Sequence, residues 1–147
     1  MVEAETATAT VAHAIQSSVA PVFLLSGIGA MLVVMTNRLA RVVDRARGFE
    51  AKLPSATQNE TVRLHADLAT LSRRAKLINR AITLCTITAL LVCAVVITLF
   101  VGVFLKFETS LLVALFFVGG MSAFFAGLLC FLREIFLATR SLRIGPQ

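Results

Sequence analysis

The sequence predicts an all-α integral membrane protein with three long transmembrane helices, the first two extended into a cytoplasmic antiparallel helical hairpin. Three observations lead there. The 147 residues are 58% hydrophobic and only 15% charged, against roughly 45–50% and about 25% in a soluble globular domain. Stretches 14–37, 81–105 and 109–132 contain no Asp, Glu, Lys, Arg or His, and each meets the roughly 20 residues a helix needs to cross a hydrocarbon core of about 30 Å. Between the first two stretches, apolar residues recur at helical spacing. The formal charge of +6, from 14 Lys and Arg against 8 Asp and Glu, does not make this a nucleic-acid binder, because such proteins are rarely so apolar. Nor does the length leave room for an independent catalytic domain of about 100 residues beside a membrane portion.

In chain order, 1–13 reads as a short extracytoplasmic segment, and 14–144 as a single three-helix membrane domain. The start is acidic and rich in Thr, whereas a secretory signal opens with basic residues and closes on a small-residue cleavage site, so span 14–37 reads as an uncleaved anchor. Pro21 either kinks that span or sits in its early turns. Lipid offers the backbone no hydrogen bonds, so the spans must be helical. Beyond Arg38 the stripe Leu39, Val42, Val43, Ala46, Phe49 and Leu53 continues the first helix as an amphipathic rod, and Pro54 stops it. Thr57 and Glu60 match a capping box that opens a second rod. Its stripe, Leu64, Leu68, Leu71, Ala75, Ile78 and Ile82, runs into span 81–105, with Arg63 and Asp67 as an exposed i to i+4 pair. The two rods make the hairpin, 38–80. A turn at 106–110 leads to span 109–132 and a tail helix, 133–144, packed through Leu132, Ile135, Thr139 and Leu142 and ended by Gly145 and Pro146.

Orientation follows from the basic residues. Thirteen of the fourteen lie in 38–80 or 133–144; set against Asp44, Glu50, Glu60, Asp67 and Glu134 they leave +8 on that side, while Lys106 against Glu3, Glu5 and Glu108 leaves −2 on the other. The positive-inside rule then puts the hairpin and C-terminus in the cytoplasm and the N-terminus outside.

The run Ile15-Gln16-Ser17-Ser18-Val19-Ala20-Pro21-Val22-Phe23-Leu24-Leu25-Ser26-Gly27-Ile28-Gly29-Ala30, with Thr36-Asn37-Arg38-Leu39-Ala40-Arg41 and Asp44-Arg45-Ala46-Arg47, resembles a family of small bacterial membrane proteins, domain of unknown function 2721. Arg73-Arg74, Asn79-Arg80-Ala81-Ile82 and Phe131-Leu132-Arg133-Glu134-Ile135 fit the same family, and the resemblance covers about 15–144. It implies a three-span protein of the bacterial inner membrane. It implies no activity and carries over no catalytic or binding residue.

The residues themselves argue against an enzyme. His13 and His65 fall on opposite sides of the membrane, which leaves no nucleophile with a base in reach. Gly27-Ile28-Gly29 lies mid-span without a preceding strand, so small-residue packing explains it better than a phosphate loop. Cys85, Cys93 and Cys130 all lie in spans, as small apolar residues with no metal-ligand spacing. No cofactor is expected: haem would want facing histidines in the bundle. Coupled transport would want ionisable groups within the spans.

Two roles remain. One is a non-enzymatic homo-oligomeric scaffold or accessory protein that uses its basic hairpin for contact with anionic lipid or a cytoplasmic protein partner. The other is a homo-oligomeric passive channel for ions or small solutes, whose pore hydroxyls would come from faces such as Thr83, Thr86 and Cys93, or Ser18, Gly29 and Thr36. The same hydroxyls can instead bond back to their own helices. Candidate contacts to anionic lipid, or to a vestibule, are Arg38, Arg41, Arg45, Lys52, Arg80 and Arg133, which otherwise serve only as topology anchors. Candidate helix-packing or oligomer contacts are Ser26, Ala30, Gly119, Ala123 and Gly127, small residues that let helices approach closely. No Trp or Tyr is present, and nine of the eleven Phe follow residue 99, where packing and lipid contact account for them.

Overall fold

Alanines at 4, 7, 9, 12 and 14, with no glycine or proline before Pro21, favour helix from the start of the chain. In a computed structural model, which describes residues 2–105 and 110–141, the first helix indeed begins there. Helix α1 spans Val2–Glu50, α2 spans Gln58–Leu105 and α3 spans Ser110–Ser141, with one 3-10 turn, Leu53–Ser55, between α1 and α2. The segment 1–13, set apart in the sequence, is thus helical from Val2, and Pro21 lies inside α1 without ending it. All three helices are long and apolar enough to cross a membrane. The turn residues 106–109 and the tail residues Leu142, Arg143, Gly145 and Pro146 lie outside the described residues, as does the side chain of Arg140.

The end of α1 differs in detail from the expectation. Regular helix stops at Glu50 rather than at Pro54, and the chain tightens first: the Lys52 amide bonds the Phe49 carbonyl at 3.1 Å and the Ser55 amide bonds the Lys52 carbonyl at 3.3 Å. Pro54 then falls early in the 3-10 turn, where its missing N–H costs no hydrogen bond.

Two compact units can be distinguished. The first comprises Met1–Met31 and Leu84–Phe125. Its buried side chains include Ile28 of α1 and Cys85, Thr88, Val92 and Val95 of α2. A methyl group on Gly120 of α3 would stand 3.4 Å from the Leu91 Cβ and 3.8 Å from the Thr88 carbonyl oxygen, so the glycine marks the close approach of α2 and α3. The Thr88 hydroxyl shares its hydrogen between the Leu84 carbonyl at 2.9 Å and the Gly120 carbonyl at 3.1 Å. Elsewhere large apolar side chains point away from the unit, among them Phe23, Leu90, Leu111 and Phe125. Such a surface suits lipid rather than water.

The second unit comprises Leu32–Thr83 and Ala126–Gln147. Met35 and Val42 of α1, Leu71, Ile78 and Ala81 of α2, and Phe131 of α3 are buried in it. Every residue of the two predicted rod stripes is buried or half-buried, and each large one fully withdrawn from water contributes about 1.5–3 kcal/mol. The face of α3 is a correction. Leu132 and Thr139 are exposed, and Phe131 and Glu134 are buried instead, because a carboxylate that finds arginine partners can turn inward. Arg63 and Asp67 are exposed as expected, but they form no salt bridge: among the described residues both salt bridges end on Glu134.

Thr57 caps α2. Its amide donates to Glu60 Oε2 at 2.9 Å and its hydroxyl donates to the same oxygen at 2.7 Å. This is the glutamate half of a capping box, with the Thr57 hydroxyl as a second donor to the same carboxylate oxygen. The Thr57 amide, and then its hydroxyl, hold the Glu60 carboxyl below the usual glutamate range. A lowered folded-state value means that the cap stabilises the helix start above the ordinary glutamate pKa of about 4.3 and is lost only as pH falls through the lower folded value. The Thr57 amide resonance should accordingly titrate with a midpoint below that of an exposed glutamate and lose the transition in Glu60→Ala; an ordinary midpoint would exclude the contact.

Candidate functional site

In the second unit the arginine spacing of α1 sets the stage. Arg38, Arg41 and Arg45 follow one another at three and four residues, so they share a face of the helix and rise together over about 10 Å. That face meets Leu71 and Arg74 of α2. Arg38, Arg41, Val42, Arg45, Leu71 and Arg74 line one open cavity of about 400 Å³.

Glu134 of α3 anchors the arrangement. Its side chain is 0% exposed, and an uncompensated buried carboxylate would be strongly unfavourable. Arg74 compensates it: Nε donates to Oε1 at 3.1 Å and Nη2 donates to the same oxygen at 2.8 Å. Arg38 approaches from α1, with Nη2 at 3.3 Å from Oε2. That contact is electrostatic only, because Oε2 accepts no hydrogen bond. The Arg38 guanidinium also lies over the Phe131 ring, 5.4 Å from its centroid, a cation–π contact that steadies it against α3. Arg74 is therefore firmly held and Arg38 loosely so, one-third of its side chain reaching solvent.

Arg41 and Arg45 are exposed, and among the described residues neither has a carboxylate within salt-bridge distance. Four guanidiniums thus border one cavity, with a single carboxylate to balance them. Such a cluster can bind anions through forked N–H donors.

The predicted contact residues divide. Arg38, Arg41 and Arg45 come together at the cavity. Lys52 lines a separate cavity of about 370 Å³ beside Ser55, Glu60, Arg63 and Asp67, while Arg80 and Arg133 are exposed and line neither. Arg74 and Glu134 were missed as site residues. Arg73-Arg74 gave only a charge pair, and nothing local links position 74 to a carboxylate sixty residues away. Among the small residues, Ser26, Ala30 and Gly119 are exposed, Ala123 is half-buried and Gly127 is buried. Gly120, one residue beyond Gly119, approaches α2 more closely than Gly119 does, 3.4 Å against 3.8 Å.

Hydroxyls in the spans mostly bond backward. Thr36 donates to the Leu32 carbonyl at 2.8 Å, Thr83 to Asn79 at 3.0 Å, Thr98 to Ala94 at 2.7 Å and Ser122 to Val118 at 2.8 Å. His13 and His65 are both exposed, and among the described residues no three or more His, Cys, Asp or Glu side chains gather to hold a metal ion.

Removing one partner of a buried pair leaves the other charge stranded, at a cost of about 3–5 kcal/mol. Arg74→Ala should therefore lower stability in detergent by about that much, whereas Arg133→Ala should stay within about 0.5 kcal/mol. An Arg74→Met, Glu134→Leu double variant should recover most of the loss, since apolar side chains often replace such pairs well. Equal effects of Arg74→Ala and Arg133→Ala in chemical or thermal unfolding would contradict the geometry.

No curated protein and no solved structure matches the chain. The model of the family described as "Protein of unknown function (DUF2721)" matches residues 18–144, and the chain belongs to that family.

Proposed function

We propose that this protein is a non-enzymatic scaffold or accessory protein of the bacterial inner membrane. In this reading the three apolar helices span the bilayer with the N-terminus outside, and segment 38–80 forms a cytoplasmic helical hairpin that contacts anionic lipid or a protein partner. The observation that carries it is the concentration of charge: directly after the uncharged stretch of α1, arginines 38, 41 and 45 line a cavity with Arg74 and Val42. Such a basic surface at the end of a membrane span attracts anionic partners.

A homo-oligomer is favoured by the outer surface of α1. Ser26, Gly27, Gly29 and Ala30 are exposed, and nothing lies within 4 Å of where a side chain on Gly27 or Gly29 would begin. Small residues left free within the chain permit a second helix to approach from another copy. The channel alternative draws less support, because hydroxyls that would line a pore, such as those of Thr36 and Thr83, already bond their own helices.

A combined labelling and mass measurement tests this. With native cysteines replaced, Thr6→Cys should react with an impermeant maleimide in intact cells and Ser55→Cys only after permeabilisation; the reverse pattern overturns the orientation. In detergent, light scattering should give a multiple of the 15.8 kDa chain mass, reduced by Gly27→Leu together with Ala30→Leu at unchanged helicity. A monomeric wild type would overturn the oligomer, and solute flux from proteoliposomes above that of empty ones would favour the channel.

A further inference from the structure

We propose that the cavity bounded by Arg38, Arg41, Arg45 and Arg74 is a binding site for a phosphate ester. It deepens the membrane reading above by assigning one site and one ligand chemistry to the basic extension.

Four observations converge. The first is electrostatic: four guanidiniums border one cavity, and among the described residues Glu134 alone forms a salt bridge with any of them. Like charges held this close repel, so an anion gains both their field and relief of their repulsion. The second is the state of each donor. Arg74 commits Nε and Nη2 to Glu134, which makes it a fixed wall. Arg38 makes no aligned hydrogen bond to Glu134, and among the described residues Arg41 and Arg45 have no carboxylate in salt-bridge distance, so three guanidiniums retain donors for a ligand. Glu134 acts as the positioning residue, since it holds Arg74 without filling the site.

The third observation is size. About 400 Å³ lies in the range of small-molecule sites, about 300–1,000 Å³, and exceeds what a bare phosphate ion needs. Val42 and Leu71, both buried and both on the wall, offer an apolar surface for the ester's carbon atoms and lower the local dielectric around the arginines. The fourth is depth. The uncharged stretch of α1 ends at Asn37, and Arg38, Arg41 and Arg45 occupy the next ~10 Å of helix. With α1 inserted, Arg38 and Arg41 fall within the headgroup layer, about 5–8 Å thick on each side of the hydrocarbon, and Arg45 reaches just past it. A membrane phospholipid presents a phosphodiester and a soluble ester such as glycerol 3-phosphate a phosphomonoester; both offer anionic phosphoryl oxygens to guanidinium donors, and the cavity is open to both.

The test uses the full chain in a nonionic detergent, with phosphatidylglycerol and glycerol 3-phosphate as separate probes, read by native mass spectrometry and by titration. The wild type should retain phosphatidylglycerol in preference to phosphatidylcholine. Arg41→Gln and Arg45→Gln, both at exposed positions, should each weaken binding about tenfold, the scale of one charge-assisted hydrogen bond. Arg80→Gln with Arg133→Gln, exposed arginines outside the cavity, should leave it unchanged. Binding of phosphatidylglycerol alone identifies a lipid site, and binding of both probes identifies a site for soluble esters as well; either outcome supports the assignment. Retention of neither probe by the wild type overturns it, as does an equal loss in the cavity and control variants, which would reduce the effect to general surface charge. Binding retained in a chain whose labelling shows the opposite orientation would sink the topology and leave the phosphate site standing.

Discussion

A carboxylate wholly withdrawn from solvent is the constraint around which the second unit is arranged. Glu134 brings residues from all three helices to one place: Arg74 through two hydrogen bonds to Oε1, and Arg38 through charge contact with Oε2. Long apolar helices can slide past one another with little change in buried area, because one stripe of aliphatic side chains resembles the next. A buried charge removes that freedom. Shifting α2 by one turn, about 5.4 Å, would take Arg74 out of reach and leave the carboxylate unpaired. Registry is the best-attested use of buried polar groups, and it fits this pair better than stability does, since well-packed apolar residues could hold the helices as strongly.

The same interaction explains which parts of the structure were legible in the sequence. The stripes from Leu39 to Leu53 and from Leu64 to Ile82 were legible because three-to-four spacing of apolar residues is a local signal. The cap at Thr57 was legible for the same reason, its partner lying three residues away. The inward face of α3 was not. Pattern reading looks for the packing face among apolar residues, which selects Leu132 and gives a charged residue such as Glu134 no place on it. That rule holds only where a charge has no partner, and Arg74 and Arg38 lie 60 and 96 residues from Glu134 in the chain. The glycines show a related limit. Gly119 and Gly120 are adjacent, and a four-residue ladder through Ala123 selects Gly119; the side chains of Leu91 and Thr88 on the facing helix select Gly120.

Of the candidate site, the α1 half was readable and the α2 half was not. Arg38, Arg41 and Arg45 announce a shared face through their spacing alone. Arg74 sits among Arg73, Lys76 and Arg80, and no spacing distinguishes it. Only the backbone pairing of α1 with α2, and the commitment of Arg74 to Glu134, separate it from its neighbours. Lys52 was included for falling on the same helical face, yet α1 ends at Glu50, and the change to 3-10 geometry carries Lys52 to a different cavity.

The choice of residue type argues for more than topology. Orientation in a membrane is set by positive charge, and lysine supplies that as well as arginine. Here eleven of the fourteen basic residues are arginine, and all four around the cavity are. Lysine offers a compact, strongly hydrated point charge, whereas the guanidinium offers a planar fork of donors that stacks on rings and matches oxyanions in pairs. At Arg38 and Arg74 the structure uses both properties, the ring of Phe131 under one and the two-donor grip on Glu134 by the other. Arg41 and Arg45 have the same equipment and, among the described residues, no carboxylate within reach on which to use it. A topology signal leaves the identity of those two residues unexplained; an oxyanion held between them accounts for it.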